Sequence, residues 1–264
     1  MKEVKMNRIQ EFYNTINSFS KGISIWHIFK DFLLLAALHL ANTVKTSEWD
    51  TREEQYLSLL HTYQEEDQKL FPQLLASLSL GLEENPEQDF LEEIYIILSL
   101  FQDQQGLNFM PYDMVRMMAE ATYEDRSGKI ASGGYILAHD SACGSGAKLI
   151  AFANAERNHG VNTQKEILFA GQDNDRTSAL MCYFQLSLLK LPGYVIIGDA
   201  RLKPGRHSDN EVWYTPAFYM NAQCFVDKSA EKEQDCGPVT DGSMLTLKPP
   251  ADCVEIDRKL SFHL

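Results

Sequence analysis

The sequence predicts an α/β protein, an open parallel sheet preceded by an α-helical N-terminal region, and three observations predict it. The first hundred residues carry helix signals almost without interruption and no strand pattern. From about residue 130, short apolar runs alternate with amphipathic helical patterns, the order that parallel strands joined by right-handed crossovers require. Three of those runs, "YILAHD", "ILFAGQD" and "VIIGDA", finish on or beside an aspartate: Asp140, Asp173 and Asp199.

In the first region, "IWHIFKDFLLLAALHLANTV" reads as a core helix. His27, Lys30, Asp31 and His39 interrupt it, leaving Phe32 to Leu38 as its longest apolar run, well short of the ~20 residues that a membrane span needs. Asp50 is expected to cap "TREEQYLSLLHTYQEED", with Glu53 three residues later completing a capping box. Pro72 suits the opening of "PQLLASLSLGLEE". Asn85 is expected to cap a further helix with Pro86 at its first position and Ile94, Ile97, Leu98 and Phe101 along one face. The result is a bundle of roughly five helices with acidic outer faces. His27, Trp26, His39, Trp49 and His61 are read as packing or surface residues, because nothing pairs them at metal spacing. In the second region, strands over "GGYILAHD", "EILFAGQD" and "GYVIIGDA" alternate with helices over 146–158 and 176–190.

The 264 residues carry a net charge of −13, of which −9 falls on residues 1–106. Acidity so placed argues against a standalone grip on duplex DNA, which needs clustered Lys and Arg. It leaves open a basic cleft or a basic partner. Five cysteines, Cys143, Cys182, Cys224, Cys236 and Cys253, are an odd number without a C-x-x-C pair, and no secretory signal opens the chain. A reducing cytoplasm, buried thiols and no metal are the expectation, since zinc on Cys224, Cys236 and Cys253 would lack close ligand pairs.

In open α/β sheets the ligand lies beyond the carboxyl ends of the strands, where all three aspartates fall. The turn "HDSACGSGAKLI" adds Gly144 and Gly146, which let backbone approach a ligand and start a helix tightly. A dinucleotide fits poorly. The third glycine of G-x-G-x-x-G would fall at Leu149, and the next strand-end acid lies 33 residues after Asp140. A ligand with an ammonium, a ribose diol and an adenine would use three strand-end carboxylates, one for each group, and S-adenosylmethionine has those groups. The bland alternative is a glycine turn whose aspartates only cap helices.

From about Asn108 to Ala200 the sequence resembles the adenine-N6 DNA methyltransferases typified by the modification subunits of type I restriction systems. "NFMPYDMVRMMAEA" resembles the family's F-[FY]-T-P segment, with Asn108 and Met110 departing from it; "DSACGSGAKLI" resembles D-P-A-C-G-S-G, with Ser141 for Pro. "FAGQDNDRTSALMCYFQLSLL" is similar to the G-Q-E segment and its helix, and "IIGDA" to the G-D-S segment. The resemblance implies a Rossmann-like fold of the S-adenosylmethionine-dependent methyltransferase type. It implies a cofactor held by Phe109, Pro111, Asp140, Ala142, Cys143, Gly144, Gly146, Asp173, Asn174, Asp199 and Ala200, with Asp173 on the ribose hydroxyls and Asp199 near the adenine amine.

The family's Asn-Pro-Pro-aromatic segment, which holds a flipped adenine by amine hydrogen bonds and stacking, has no counterpart here. The nearest strings are "KPPAD" and "WYTPAFYM", the latter offering Tyr214, Pro216 and Phe218 as weak catalytic candidates or a packed aromatic segment. Only 64 residues follow Ala200, so the sheet is expected to be truncated, without a target-recognition domain. The expected division is 1–106 (helical), 107–225 (cofactor-binding α/β) and 226–264 (a linker and a strand pair, "MLTLK" with "CVEIDRKLSF"). Three readings stand. One is an adenine methyltransferase that meets DNA through "WYTPAFYM" or a partner subunit, in a homo- or hetero-oligomer. The second is an inactive cofactor-binding regulatory or assembly module. The third is an acidic interaction protein with a vestigial pocket.

Overall fold

The computed structural model describes residues 7–100, 110–125, 134–225 and 253–255. Among the described residues of the first region there are six helices: α1 (Arg8–Ile16), α2 (Ile25–Ala41), α3 (Trp49–Leu60), α4 (Glu65–Gln68), α5 (Leu70–Glu84) and α6 (Phe90–Leu100). α2 is apolar around most of its circumference and buries Phe29, Phe32, Leu33 and Leu38 at its centre. That pattern marks a helix packed on several sides rather than a surface helix. Among the described residues, no helix is long and apolar enough to cross a membrane.

Two expected caps are corrected. α3 begins at Trp49, which puts Asp50 inside its first turn, and Glu53 accepts a bond from Asn42 Nδ2 (3.1 Å) instead of closing a capping box. α3 stops at Leu60 and the chain turns before α4, so "TREEQYLSLLHTYQEED" is not one helix. Asn85 ends α5 rather than starting α6; its Oδ1 accepts the Glu87 amide (3.1 Å) in a turn. The residue that caps α6 is Asp89, whose Oδ1 accepts the Glu92 amide at 2.9 Å. The wider arrangement is D-x-x-E, the acidic form of the start signal sought at Asn85. Phe101, assigned to the same face as Ile94 and Leu98, lies outside the described residues.

After α7 (Tyr112–Ala121) come β1 (Ile136–Asp140), α8 (Ala147–Asn158), β2 (Ile167–Asp173), α9 (Arg176–Leu188), β3 (Gly193–Ile197), β4 (Glu211–Tyr214), α10 (Pro216–Asn221), a 3-10 turn (Ala222–Phe225) and β5 (Cys253–Glu255). The sheet order is β4-β3-β2-β1-β5. All neighbours are parallel except β4, which runs antiparallel to β3. The α/β class with its helical N-terminal region and mostly parallel sheet is therefore present. "MLTLK" lies outside the described residues, and Cys253–Glu255 pairs with β1.

Side chains alternate across the strands. Ile136, Ala138, Ile167, Phe169 and Val195 face α8, α9 and the bundle in one continuous core, while Leu137, Leu168 and Ala170 face Phe218, Phe225 and a group of tyrosines. The bundle docks through α2 on α9, where the Phe32 and Phe184 rings meet edge to face at 6.0 Å. Two right-handed crossovers in the same direction put both helices on one face of the sheet.

Candidate functional site

Strand order reverses at β1: β2 and β3 lie on one side of it and β5 on the other. Such a switch point leaves a crevice at the carboxyl end of the strand. Asp140 ends β1 there, 1% exposed. Its Oδ1 accepts the Ala142 amide (3.2 Å) and Lys148 Nζ (2.8 Å), while Oδ2 is buried with no partner among the described residues. Burial pushes this carboxyl upward, and the Lys148 charge opposes the shift.

The turn after Asp140 needs its glycines. Gly144 has φ +54° and Gly146 φ +102°, and a Cβ on Gly146 would stand 3.1 Å from Cys182 Sγ and 3.3 Å from Cys182 Cα. Gly146 thus admits both the left-handed backbone and the close approach of α9 while capping α8. The loop is tied to β2 by bonds from the Cys143 amide to the Gln172 carbonyl (3.0 Å) and from the Gly144 amide to Asp173 Oδ2 (2.9 Å). Cys143 itself turns inward. Its thiol, 3% exposed, bonds to Cys182, and that bond and burial raise it well above the ordinary thiol range. Cys143 therefore offers a ligand no thiolate.

Asp173 ends β2, where its Oδ1 accepts the Asp175 amide (2.9 Å); Asp175 in turn caps α9 through the Ser178 amide and hydroxyl, both at 2.8 Å. Asn174 lies exposed between them. Asp199 follows β3, accepts the Arg201 amide (2.8 Å) and keeps a third of its side chain exposed; Ala200 is half-buried beside it. Asp140, Ala142, Gly144, Gly146, Asp173, Asn174, Asp199 and Ala200 thus belong to one edge of the sheet. Phe109 lies outside the described residues. Pro111 caps α7, whose Tyr112 hydroxyl accepts Asn154 Nδ2 at 3.1 Å. Asn154 stands roughly 12 Å along α8 from the glycine loop.

Tyr214, Pro216 and Phe218 are not brought to this edge. Tyr214 pairs with Tyr194 near the start of β3, while Glu211 pairs with Ile197 at its end. Thr215 closes the return by donating to the Leu191 carbonyl (2.9 Å), at the amino edge of the sheet. Three residues of strand, roughly 10 Å, separate the Tyr214 backbone from the level of the strand-end acids. Phe218 is 6% exposed and packs against Tyr214 at 4.9 Å, on the sheet face opposite α8 and α9. Of the two expectations for this string, weak catalytic candidates or a packed aromatic segment, these contacts describe the packed segment.

Four supporting residues escaped the sequence reading. Gln172, 1% exposed, donates to the Gly198 (3.2 Å) and Lys203 (2.9 Å) carbonyls and accepts the Gly205 amide (2.9 Å), fixing the loop that carries Asp199. Asp89 reaches from the bundle to the glycine loop: its Oδ2 accepts the Ser145 hydroxyl and its Oδ1 accepts Gln185 Nε2 (2.7 Å), which also donates to the Ser145 carbonyl (2.9 Å). Beside it, burial and the Asp89 charge push the Glu92 carboxyl up to about 8, so that it holds a proton against Asp89. The D-x-x-E spacing at Asp89 and Glu92 was the available signal. Lys148, on Asp140, is the fourth.

No family model and no curated protein matches the chain. Solved structures similar to it include the following two. One is a protein assigned as a class I S-adenosylmethionine-dependent methyltransferase from Listeria monocytogenes, with a TM-score of 0.40, 16% identity, 73% of this chain covered and 53% of that one. The other is the methyltransferase subunit of a type I restriction-modification system from Streptococcus thermophilus, with a TM-score of 0.38, 16% identity, 73% of this chain covered and 58% of that one. The chain spans a little over half the length of either.

Proposed function

We propose that this chain binds S-adenosylmethionine or its demethylated product at the β1 loop, as a DNA adenine-N6 methyltransferase-like protein that holds the cofactor but does not by itself transfer the methyl group. The observation that carries the reading is the convergence of Asp140, Asp173 and Asp199 at the carboxyl ends of three adjacent parallel strands at the switch point, around a turn in which Gly146 takes a backbone and a close approach that favour glycine. The buried, unpartnered Oδ2 of Asp140 fits a group that brings a hydrogen-bond donor. In this reading Asp140 takes the ammonium, Asp173 the ribose hydroxyls and Asp199 the adenine amine, while Ala142, Cys143, Gly144 and Gly146 line the turn with backbone. The sequence resemblance places Phe109, Pro111, Asn174 and Ala200 around the same ligand.

The cofactor supplies an activated methyl group; the protein's part in such a reaction is to align an acceptor amine with it. Asp173, anchored at both oxygens by backbone amides, and Asp199, held through Arg201 and the Gln172 network, are preorganised to orient a nucleoside. Among the described residues, the segment that would hold the acceptor base has no counterpart at this edge, which supports a cofactor-binding module, with DNA reached through a partner subunit. Isothermal titration with S-adenosylhomocysteine tests the reading. Asp173→Ala should lose a charge-assisted contact on the order of 2 kcal/mol, about thirtyfold in Kd. Equal binding by both proteins would refute the assignment.

A further inference from the structure

Lys148 is not part of the cofactor assignment above, yet its ammonium already bonds Oδ1 of the carboxylate whose Oδ2 that assignment offers to a ligand's ammonium. It is the second residue of α8, directly after the glycine cap, and its Nζ lies 2.8 Å from Asp140 Oδ1. Asp140 is 1% exposed, whereas the Lys148 side chain keeps 32% of its surface. The lysine is thus the solvent-facing half of the pair, and it stands between water and a buried carboxylate whose second oxygen has no partner among the described residues. A ligand ammonium reaching Asp140 would place two cations on one carboxylate unless Lys148 moved. A buried carboxylate left with no cation at all is strongly disfavoured, so the exchange must be concerted in charge. The displaced lysine needs an anion within the reach of its flexible stem. An α-amino acid end provides it, because the carboxylate is attached to the same carbon as the ammonium.

We propose that Lys148 is the specificity residue for the amino-acid end of the ligand: it closes Asp140 when the site is empty and transfers to the ligand's α-carboxylate when the α-ammonium takes its place. The proposal rests on the cofactor reading of this loop and adds to it a selection for zwitterionic over purely cationic tails.

The test compares three probes by isothermal titration with the full chain and with Lys148→Met, which keeps the aliphatic stem. The probes are S-adenosylhomocysteine, its decarboxylated analogue bearing only the amine, and 5′-methylthioadenosine, which has neither group. The wild type should prefer S-adenosylhomocysteine to the amine, and in Lys148→Met that ratio should fall by about tenfold, the value of one charge-assisted contact. 5′-Methylthioadenosine should bind both proteins equally, which also shows that the variant is folded; Lys148→Gln provides a second variant with the same expectation. A ratio that changes less than threefold in both variants, with 5′-methylthioadenosine still bound, overturns the role of Lys148 and leaves the cofactor reading standing. Failure of all three probes to bind the wild type overturns both.

Discussion

Ionisation of Glu92 should make the protein less stable as pH rises, and Glu92→Gln should weaken that dependence, leaving the part that comes from the buried Asp89. Glu92 is 3% exposed and its carboxyl, at 4.5 in water, is pushed up to about 8 by burial and by the Asp89 charge beside it. Folding therefore favours the protonated form. The stability this gives is fully present below about 4.5 and is lost as pH rises through about 8. At about 1.4 kcal/mol for each tenfold change in acidity, the displacement sets an upper limit of about 5 kcal/mol. Relaxation of the pair and entry of water reduce this, and on the order of 2 kcal/mol is expected. A glutamine amide donates to Asp89 as the protonated acid does, but carries no charge at any pH. Urea unfolding of both proteins at pH 5.5, 7 and 9 should give curves that diverge with pH, the wild type falling relative to the variant. Parallel dependence within about 0.5 kcal/mol across that range would refute the shared-proton reading of Asp89 and Glu92.

Phe218→Ala should destabilise the protein by about 3 kcal/mol in denaturant unfolding, because it empties a buried ring site. It should leave the affinity for S-adenosylhomocysteine unchanged; a weakened affinity at intact stability would return this segment to the site. Purified chain should incorporate no tritiated methyl into mixed-sequence DNA, and incorporation that Tyr214→Ala abolishes would make the aromatic segment a working base holder.

The strand and crossover pattern was legible because each strand is a short apolar run ended by a polar turn, and β1, β2, β3, α8 and α9 fall within a few residues of their expected bounds. The three acids were legible for the same reason, since Asp140 and Asp173 end their strands and Asp199 lies two residues beyond β3, positions readable once the strands are. Helix starts were less so. Asn85 with Pro86 and Asp89 with Glu92 both carry a start signal, and tertiary contact decides for Asp89, whose carboxyl is held by Ser145 and Gln185 from the α/β domain. The position of Tyr214, Pro216 and Phe218 turned on the direction of β4. A parallel return needs a crossover of a dozen or more residues that usually contains a helix; the stretch 198–210 carries Pro204 and Gly205 and no helix, so the chain comes back antiparallel and delivers the aromatics to the far edge. Lys148 was hidden because its partner Asp140 lies eight residues earlier, across a turn whose shape depends on two glycines.

A crystal structure of the chain grown with S-adenosylhomocysteine would show whether the β1 loop holds the cofactor. The nucleoside should lie across the carboxyl edge of β1, β2 and β3, with its ribose hydroxyls on the Asp173 carboxylate and its adenine beside Asp199. A ligand bound elsewhere on the chain, or a β1 loop that stays empty at millimolar S-adenosylhomocysteine, would contradict it.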